Sequence, residues 1–169
     1  ARIDLARLQH MMGDSGAALG TLQALSQQAP AAVPLATPLM LETAIAAGQA
    51  PEMQALLQAH YAQAPSLDVL EGIVALQALN PTDAATARQW YVRHLDKEQS
   101  LVAAAKWLAE EKLEHEEFHP QIQRALDHAV KPLTRYRCAA CGFEARQHFW
   151  QCPGCQTWDS YPARRVEEL

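Results

Sequence analysis

Residues 137–155 read RCAACGFEARQHFWQCPGC. Cys138, Cys141, Cys152 and Cys155 are all the cysteines of a 169-residue chain, gathered as C-x2-C-x10-C-x2-C. Two residues between paired cysteines let the backbone curl until both sulfurs face one point, with backbone N–H groups aimed at them. Gly142 and Pro153-Gly154 ease that curl. Ten intervening residues suffice for a short hairpin that brings the two knuckles face to face. Four thiolates then form a tetrahedral site suited to one zinc or one iron ion. The competing pattern is two disulfides. It suits a secreted scaffold, whereas a cysteine-poor helical chain reads as one from a reducing compartment.

Around the cysteines the composition changes. Lys131-Pro132 stops the preceding helical pattern, and the stretch that follows is rich in aromatics and arginine, from Tyr136 through Phe143 and Trp158 to Tyr161. Flat side chains can shield an ion in a domain too small to build its own core. Four thiolates around a divalent ion carry net negative charge. Arg135, Arg137, Arg146, Arg164 and Arg165 flank the site, and are read either as neutralising it, as docking it to acidic helices such as Glu110-Glu111, or as solvated surface charge. His148 lies inside the cysteine loop, but four sulfurs already complete a tetrahedron, so it is not counted as a ligand.

Upstream the pattern is helical and repetitive. LARLQHMMGDSGAALGTLQALSQQAP closes on Pro30, and MLETAIAAGQAPEMQALLQAHYAQAP closes on Pro65. Gly13 and Gly48 stand 35 positions apart, as do the two prolines. Glycine permits the tight turn between paired helices, and proline ends the second helix. A third unit runs through SLDVLEGIVALQAL, an Asn80-Pro81-Thr82-Asp83 turn and AATARQWYVRHLDK, with Ser66 and Asp83 as helix caps. A last pair is read from LVAAAKWLAEEKLE and PQIQRALDHAV. The apolar stripes, including Leu70, Ile73 and Val74, are assigned to packing between neighbouring helices.

A helix–turn–helix unit of this length resembles the tetratricopeptide repeat. Ala18 falls at the small-residue position where the second helix meets the first. The predicted fold is therefore mainly α: a tetratricopeptide-like solenoid of helical hairpins over residues 1–132, a rubredoxin-like or zinc-ribbon metal domain over 133–162, and a tail over 163–169.

Other chemistry finds little support. The net charge of −5 gives no footprint for nucleic acid. No apolar run reaches the roughly 20 residues that span a bilayer. His115-Glu116-Glu117-Phe118-His119 matches H-E-x-x-H, the zinc-protease helix motif, which needs both histidines on one helix face. Pro120 is expected to push His119 out of helical geometry, so the stretch is read as a polar turn. No phosphate-cradling glycine loop or Ser-His-Asp arrangement is present, and no catalytic residue is assigned.

The combination of repeats with Tyr136, Cys138, Cys141, Gly142, Phe143, Trp150, Cys152, Pro153, Cys155 and Trp158 resembles the lipopolysaccharide assembly protein B (LapB, YciM) family, whose tail is rubredoxin-like. The resemblance implies that Cys138, Cys141, Cys152 and Cys155 hold iron or zinc. It also implies a non-catalytic adaptor at the cytoplasmic face of the bacterial inner membrane. Such adaptors promote proteolysis of the deacetylase LpxC by the protease FtsH and contact a membrane regulator. The chain lacks an initiator methionine and is expected to be the C-terminal part of a longer, membrane-anchored protein. Rubredoxins have a longer spacer and a glycine where Gln156 stands, and both departures favour a structural ion. The alternative is a rubredoxin-like redox or iron-sensing module. Further behind stands the scaffold part of a tetratricopeptide-containing N-acetylglucosaminyl transferase.

Overall fold

The structure is a computed structural model. It describes the chain except residues 81–83, 110 and 112–115 and, at positions 84, 85 and 116, the backbone alone. Helices dominate it: α1 (Arg2–Met11), α2 (Ser15–Gln28), α3 (Val33–Ala46), α4 (Ala50–Gln63), α5 (Leu67–Ala78), α6 (Ala84–Leu95), α7 (Leu101–Ala109) and α8 (His119–Val130). Two short strands follow, β1 (Tyr136–Arg137) and β2 (Glu144–Ala145). Among the described residues no helix is long and apolar enough to cross a membrane. The chain divides into two compact units, Ala1–Ala87 and Arg88–Leu169.

In the first unit the repeat reaches down to single hydrogen bonds. Gly13 and Gly48 both take left-handed backbone angles, φ +85° and +69°, which side chains with a Cβ rarely adopt. After each glycine the chain closes the helix in the same way. Asp14 N–H donates to the Gln9 carbonyl at 2.9 Å, and Gln49 N–H donates to the Ala44 carbonyl at 2.8 Å. This bond from beyond the glycine to a carbonyl one turn back is the Schellman closure. Asp14 then caps α2 by accepting from Ala17 N–H at 2.9 Å, a role its place in the turn had not suggested. Ser66 caps α5 as expected, accepting from Val69 N–H. Residues 81–83 of the expected turn after Asn80, and with them the Asp83 cap, lie outside the described residues.

Helix α2 packs on α1 and α3, and α5 packs on α3 and α4. Leu22, Met40, Met53, Leu57, Leu70 and Ile73 are fully buried, each stabilising the unit by about 1.5–3 kcal/mol relative to exposure. Ala18 is fully buried as the small contact residue. Gly72 marks a close approach of α5 to α3. A Cβ there would lie 2.5 Å from Thr37 Cγ2. Helix α3 starts at Val33, upstream of the quoted repeat, and carries Pro34 and Pro38. Pro34 sits in the first turn, where no N–H is needed. At the apolar end of the pattern, Leu76 is buried but Leu79 is half-exposed.

In the second unit α7 buries Val102, Ala103 and Ala105 and packs against α8. His119 corrects the expectation placed on it. It is the first residue of α8, where Pro120 costs nothing because first-turn N–H groups have no intrahelical acceptor. Its ring Nε2 lies 3.1 Å from the Leu108 carbonyl, so it is tied to the backbone of α7. Its H-E-x-x-H partner His115 lies outside the described residues.

Candidate metal centre

Each pair of cysteines sits on a hairpin tip, and the two tips are built alike. Gly142 N–H donates to the Cys138 carbonyl at 2.9 Å, and Gln156 N–H to the Cys152 carbonyl at 2.8 Å. Cys138 N–H donates to the Phe143 carbonyl, and Cys152 N–H to the Thr157 carbonyl, both at 2.9 Å. Both residues that follow the second cysteine are left-handed: Gly142 at φ +77° and Gln156 at φ +61°. The first tip is braced by β1, which pairs antiparallel with β2, Tyr136 opposite Ala145. The second is braced by an antiparallel bridge between Gln151 and Trp158. A backbone bond joins the two halves, from Ala139 N–H to the Ser160 carbonyl at 2.7 Å.

This framework brings all four expected sulfurs together, within 4.8 Å of one another. Across the tips, Cys138 Sγ lies 3.8 Å from Cys155 Sγ, and Cys141 Sγ lies 3.7 Å from Cys152 Sγ. A disulfide needs about 2.05 Å, and all four thiols are free. An ion with metal–sulfur bonds of about 2.3 Å sets tetrahedral sulfur–sulfur edges near 3.8 Å. The cluster therefore fits one tetrathiolate-bound ion, zinc or iron. Cys138 and Cys152 are buried while Cys141 and Cys155 reach the surface.

The surroundings prepare the sulfurs for that task. The Cys138 thiol donates to Ser160 Oγ at 3.2 Å and Ser160 donates to the Thr157 carbonyl at 3.2 Å; once the thiol is ionised, the same hydroxyl proton can turn to the sulfur. That hydroxyl is the main reason the Cys138 thiol is pulled down to about 6, with the Cys141 and Ala140 backbone adding to it. Thr157 likewise lowers Cys155, with its Oγ1 at 3.3 Å. Cys141 goes the other way. The Phe143 backbone favours its thiolate, but burial and the three neighbouring sulfurs push it up to about 12. A second N–H, from Gly154, points at Cys152 Sγ at 3.4 Å. Tyr161 is raised to about 12 by burial and then by the nearby sulfurs, and its hydroxyl donates to the Phe143 carbonyl at 3.1 Å.

Two of the flanking arginines pair with a carboxylate and not with the sulfurs. Arg137 binds Glu144 with Nε at 2.9 Å and Nη2 at 2.8 Å, and Arg135 approaches the same carboxylate at 3.6 Å. These two arginines pair across the β1–β2 edge. Glu111, one of the acids expected to receive the domain, pairs with Arg88 at 3.4 Å, and Glu110 lies outside the described residues. His148 takes no place among the sulfurs. Its Nε2 lies 3.0 Å from the Tyr161 carbonyl, and its ring packs edge-on to Tyr136, Trp150 and Tyr161. Ser160 and Thr157 were missed in the sequence because hydroxyl residues carry no spacing signature. Only their position just after the second knuckle could have pointed to them.

A family model described as the rubredoxin metal binding domain matches residues 136–161. Over 41 residues, 24% of the chain, the protein is 42% identical to lipopolysaccharide assembly protein B of Escherichia coli strain K12. Over 39 residues it is 31% identical to the protein of the same name from Haemophilus influenzae. In both cases the match spans only 10% of the relative's length. The chain thus spans only a small part of these relatives' length, and the family model falls on the metal-binding segment.

Proposed function

We propose that the protein is a non-catalytic, metal-dependent module. Cys138, Cys141, Cys152 and Cys155 are its ligands, and one iron or zinc ion is held between them. Residues 133–162 form the metal domain, residues 1–132 form a tetratricopeptide-like scaffold, and 163–169 form a tail. The observation that carries this reading is the pair of cross-tip sulfur contacts at 3.8 and 3.7 Å, the edges of a metal tetrahedron. All four protein ligands are then spent, so no open coordination position is left for a substrate. The match to a metal binding domain supports the same non-enzymatic role.

The wider role follows from the relatives' name. A regulatory or adaptor part in lipopolysaccharide assembly is supported by the likeness to lipopolysaccharide assembly protein B. In its finer form, the scaffold and metal domain would together present LpxC to FtsH under a membrane regulator. Because the family model matches the metal domain alone, it speaks more directly for the second reading, a rubredoxin-like redox or iron-sensing module. The exposed Cys141 and Cys155 also favour that reading, since electron exchange needs sulfur near the surface.

Elemental analysis with a visible spectrum and a redox titration separates the two. A coloured iron site reduced reversibly at physiological potential supports the redox module. A colourless zinc site ends that reading and leaves the adaptor. For the adaptor, replacing Cys138 and Cys141 by serine in the full-length protein should abolish LpxC turnover. Unchanged turnover in that metal-free variant would refute it.

A further inference from the structure

The last residues of the chain reach back to the start of α7. A helix leaves its first N–H groups without intrahelical acceptors. Ser100 serves one of them, accepting from Ala103 N–H at 2.9 Å. The next two are served from 65 or more positions away. Glu167 accepts from Leu101 N–H at 2.6 Å and from Val102 N–H at 3.1 Å. It also accepts from the Ser100 hydroxyl at 2.7 Å. A carboxylate at a helix N-terminus is favoured by both the free donors and the helix dipole. Val102 and Ser100 are buried, so water cannot readily replace the lost bonds at that end.

The same tail grips the approach to the metal domain. Val166 N–H donates to the Arg135 carbonyl at 2.7 Å, and Glu167 N–H to the Leu133 carbonyl at 3.2 Å. On the far side only residues 162–166 separate Glu167 from Tyr161, whose neighbour Ser160 is fixed to Cys138 and to Ala139 N–H. The chain from α7 through α8 and the metal domain to the tail is therefore a loop held by the four sulfurs, by Glu167 on α7 and by the two backbone bonds to Arg135 and Leu133.

We infer that Glu167 is a clasp whose docking on α7 is thermodynamically coupled to metal binding by the four cysteines. This rests on the ligand assignment above. Each closure shortens the loop the other must close, and so lowers its entropy cost. Linkage makes the coupling reciprocal: whatever the ion does for the clasp, the clasp does for the ion. Metal loss would loosen the tail and bare the N-terminus of α7, which turns metal occupancy into a change at a helix that begins at Leu101, well before Cys138 in sequence.

The test uses the whole chain. Zinc affinity is measured by chelator competition for the unaltered protein, for Glu167→Ala and Glu167→Gln, and for Glu52→Gln as a remote control. Hydrogen exchange at the Leu101 and Val102 amides is followed with and without zinc. Glu167→Ala should weaken zinc by roughly one-and-a-half- to twofold, with Glu52→Gln unchanged, and zinc removal should accelerate exchange at both amides by a similar factor. Equal zinc affinity in Glu167→Ala, with exchange indifferent to zinc, would overturn the clasp and leave the ligands standing. Failure of the unaltered chain to bind one zinc would overturn the ligand assignment and the clasp together. If Glu167→Ala loses its helical circular dichroism, the exchange measurement on the unaltered chain decides alone.

Discussion

The two hairpin tips offer a paired experiment on backbone strain. Gly142 and Gln156 occupy equivalent positions with the same carbonyl partners and similar φ, +77° and +61°. One tip has the residue suited to that angle, and the other does not. A left-handed residue with a Cβ costs about 1–2 kcal/mol. Glycine gives back about 0.4–1 kcal/mol through the freedom of the unfolded chain. Gln156→Gly should therefore strengthen zinc binding by about 0.5–1 kcal/mol, roughly two- to fivefold. Gly142→Ala should weaken it by about as much. The Gly142 change is clean because a Cβ there meets nothing within 4 Å, so backbone strain is the whole effect. Metal affinity is the right readout because folding of so small a domain and ion binding are one event. Chelator competition on the zinc-loaded chain resolves a twofold change. Two shifts of the same sign, or a Gly142→Ala variant that binds zinc as tightly as the original, would refute the strain account.

Three further outcomes follow from other contacts. Ser160→Ala should weaken zinc by about tenfold, within the range seen when groups that orient metal ligands are lost, and chelator competition at neutral pH checks it. Gly72→Ala should destabilise the first unit by about 1–3 kcal/mol, because the new methyl would meet Thr37 Cγ2 at 2.5 Å and Leu41 and Leu57 side chains at 3.2 and 3.3 Å; urea unfolding followed by circular dichroism measures it. His94 is lowered from its ordinary value by burial, against Glu98 and Glu167, which raise it. Its neutral form is thus the one the fold favours, so this contribution is complete above about pH 6.5 and is lost as pH falls below that toward the folded value. His94→Gln should flatten that part of the stability–pH curve, and a curve of unchanged slope would show that other groups govern it.

What could be read in the sequence was what local chemistry dictates. Gly13 and Gly48 announced the helix turns because few other residues accept a positive φ, and the cysteine spacing announced the sulfur cluster because a knuckle tip allows little variation. Asp14, Ser160 and Glu167 were not legible in that way. A capping aspartate next to a turn glycine looks like any turn residue, and a serine acts on a cysteine only once a second hairpin is folded over the first. Glu167 is the extreme case: its donors lie on a helix 65 positions earlier. The arginines left three roles open in sequence, and for Arg135 and Arg137 the fold decides it: they sit beside the Glu144 strand and take the nearest carboxylate. Charge counts give sign and quantity, and only the fold gives neighbours.

The core of the metal domain bears on how any signal would leave it. Its buried cluster is Cys138, Cys152 and Tyr161, with Tyr136, Ala145 and Phe149 packed partly against it. Two of those three buried side chains are proposed ligands, so the ion takes the place that apolar side chains hold in the helical unit. So small a segment buries too little surface to fold unaided. A one-electron change at a bound iron keeps four ligands in place and leaves this core intact. Loss of the ion removes the centre of the core, and with it the anchor of Ser160 and Tyr161 that precedes the tail. Chelation would therefore disturb the tail more than reduction of a bound iron would. The distinction is measurable as a change in tail protection on chelation that is absent on reduction.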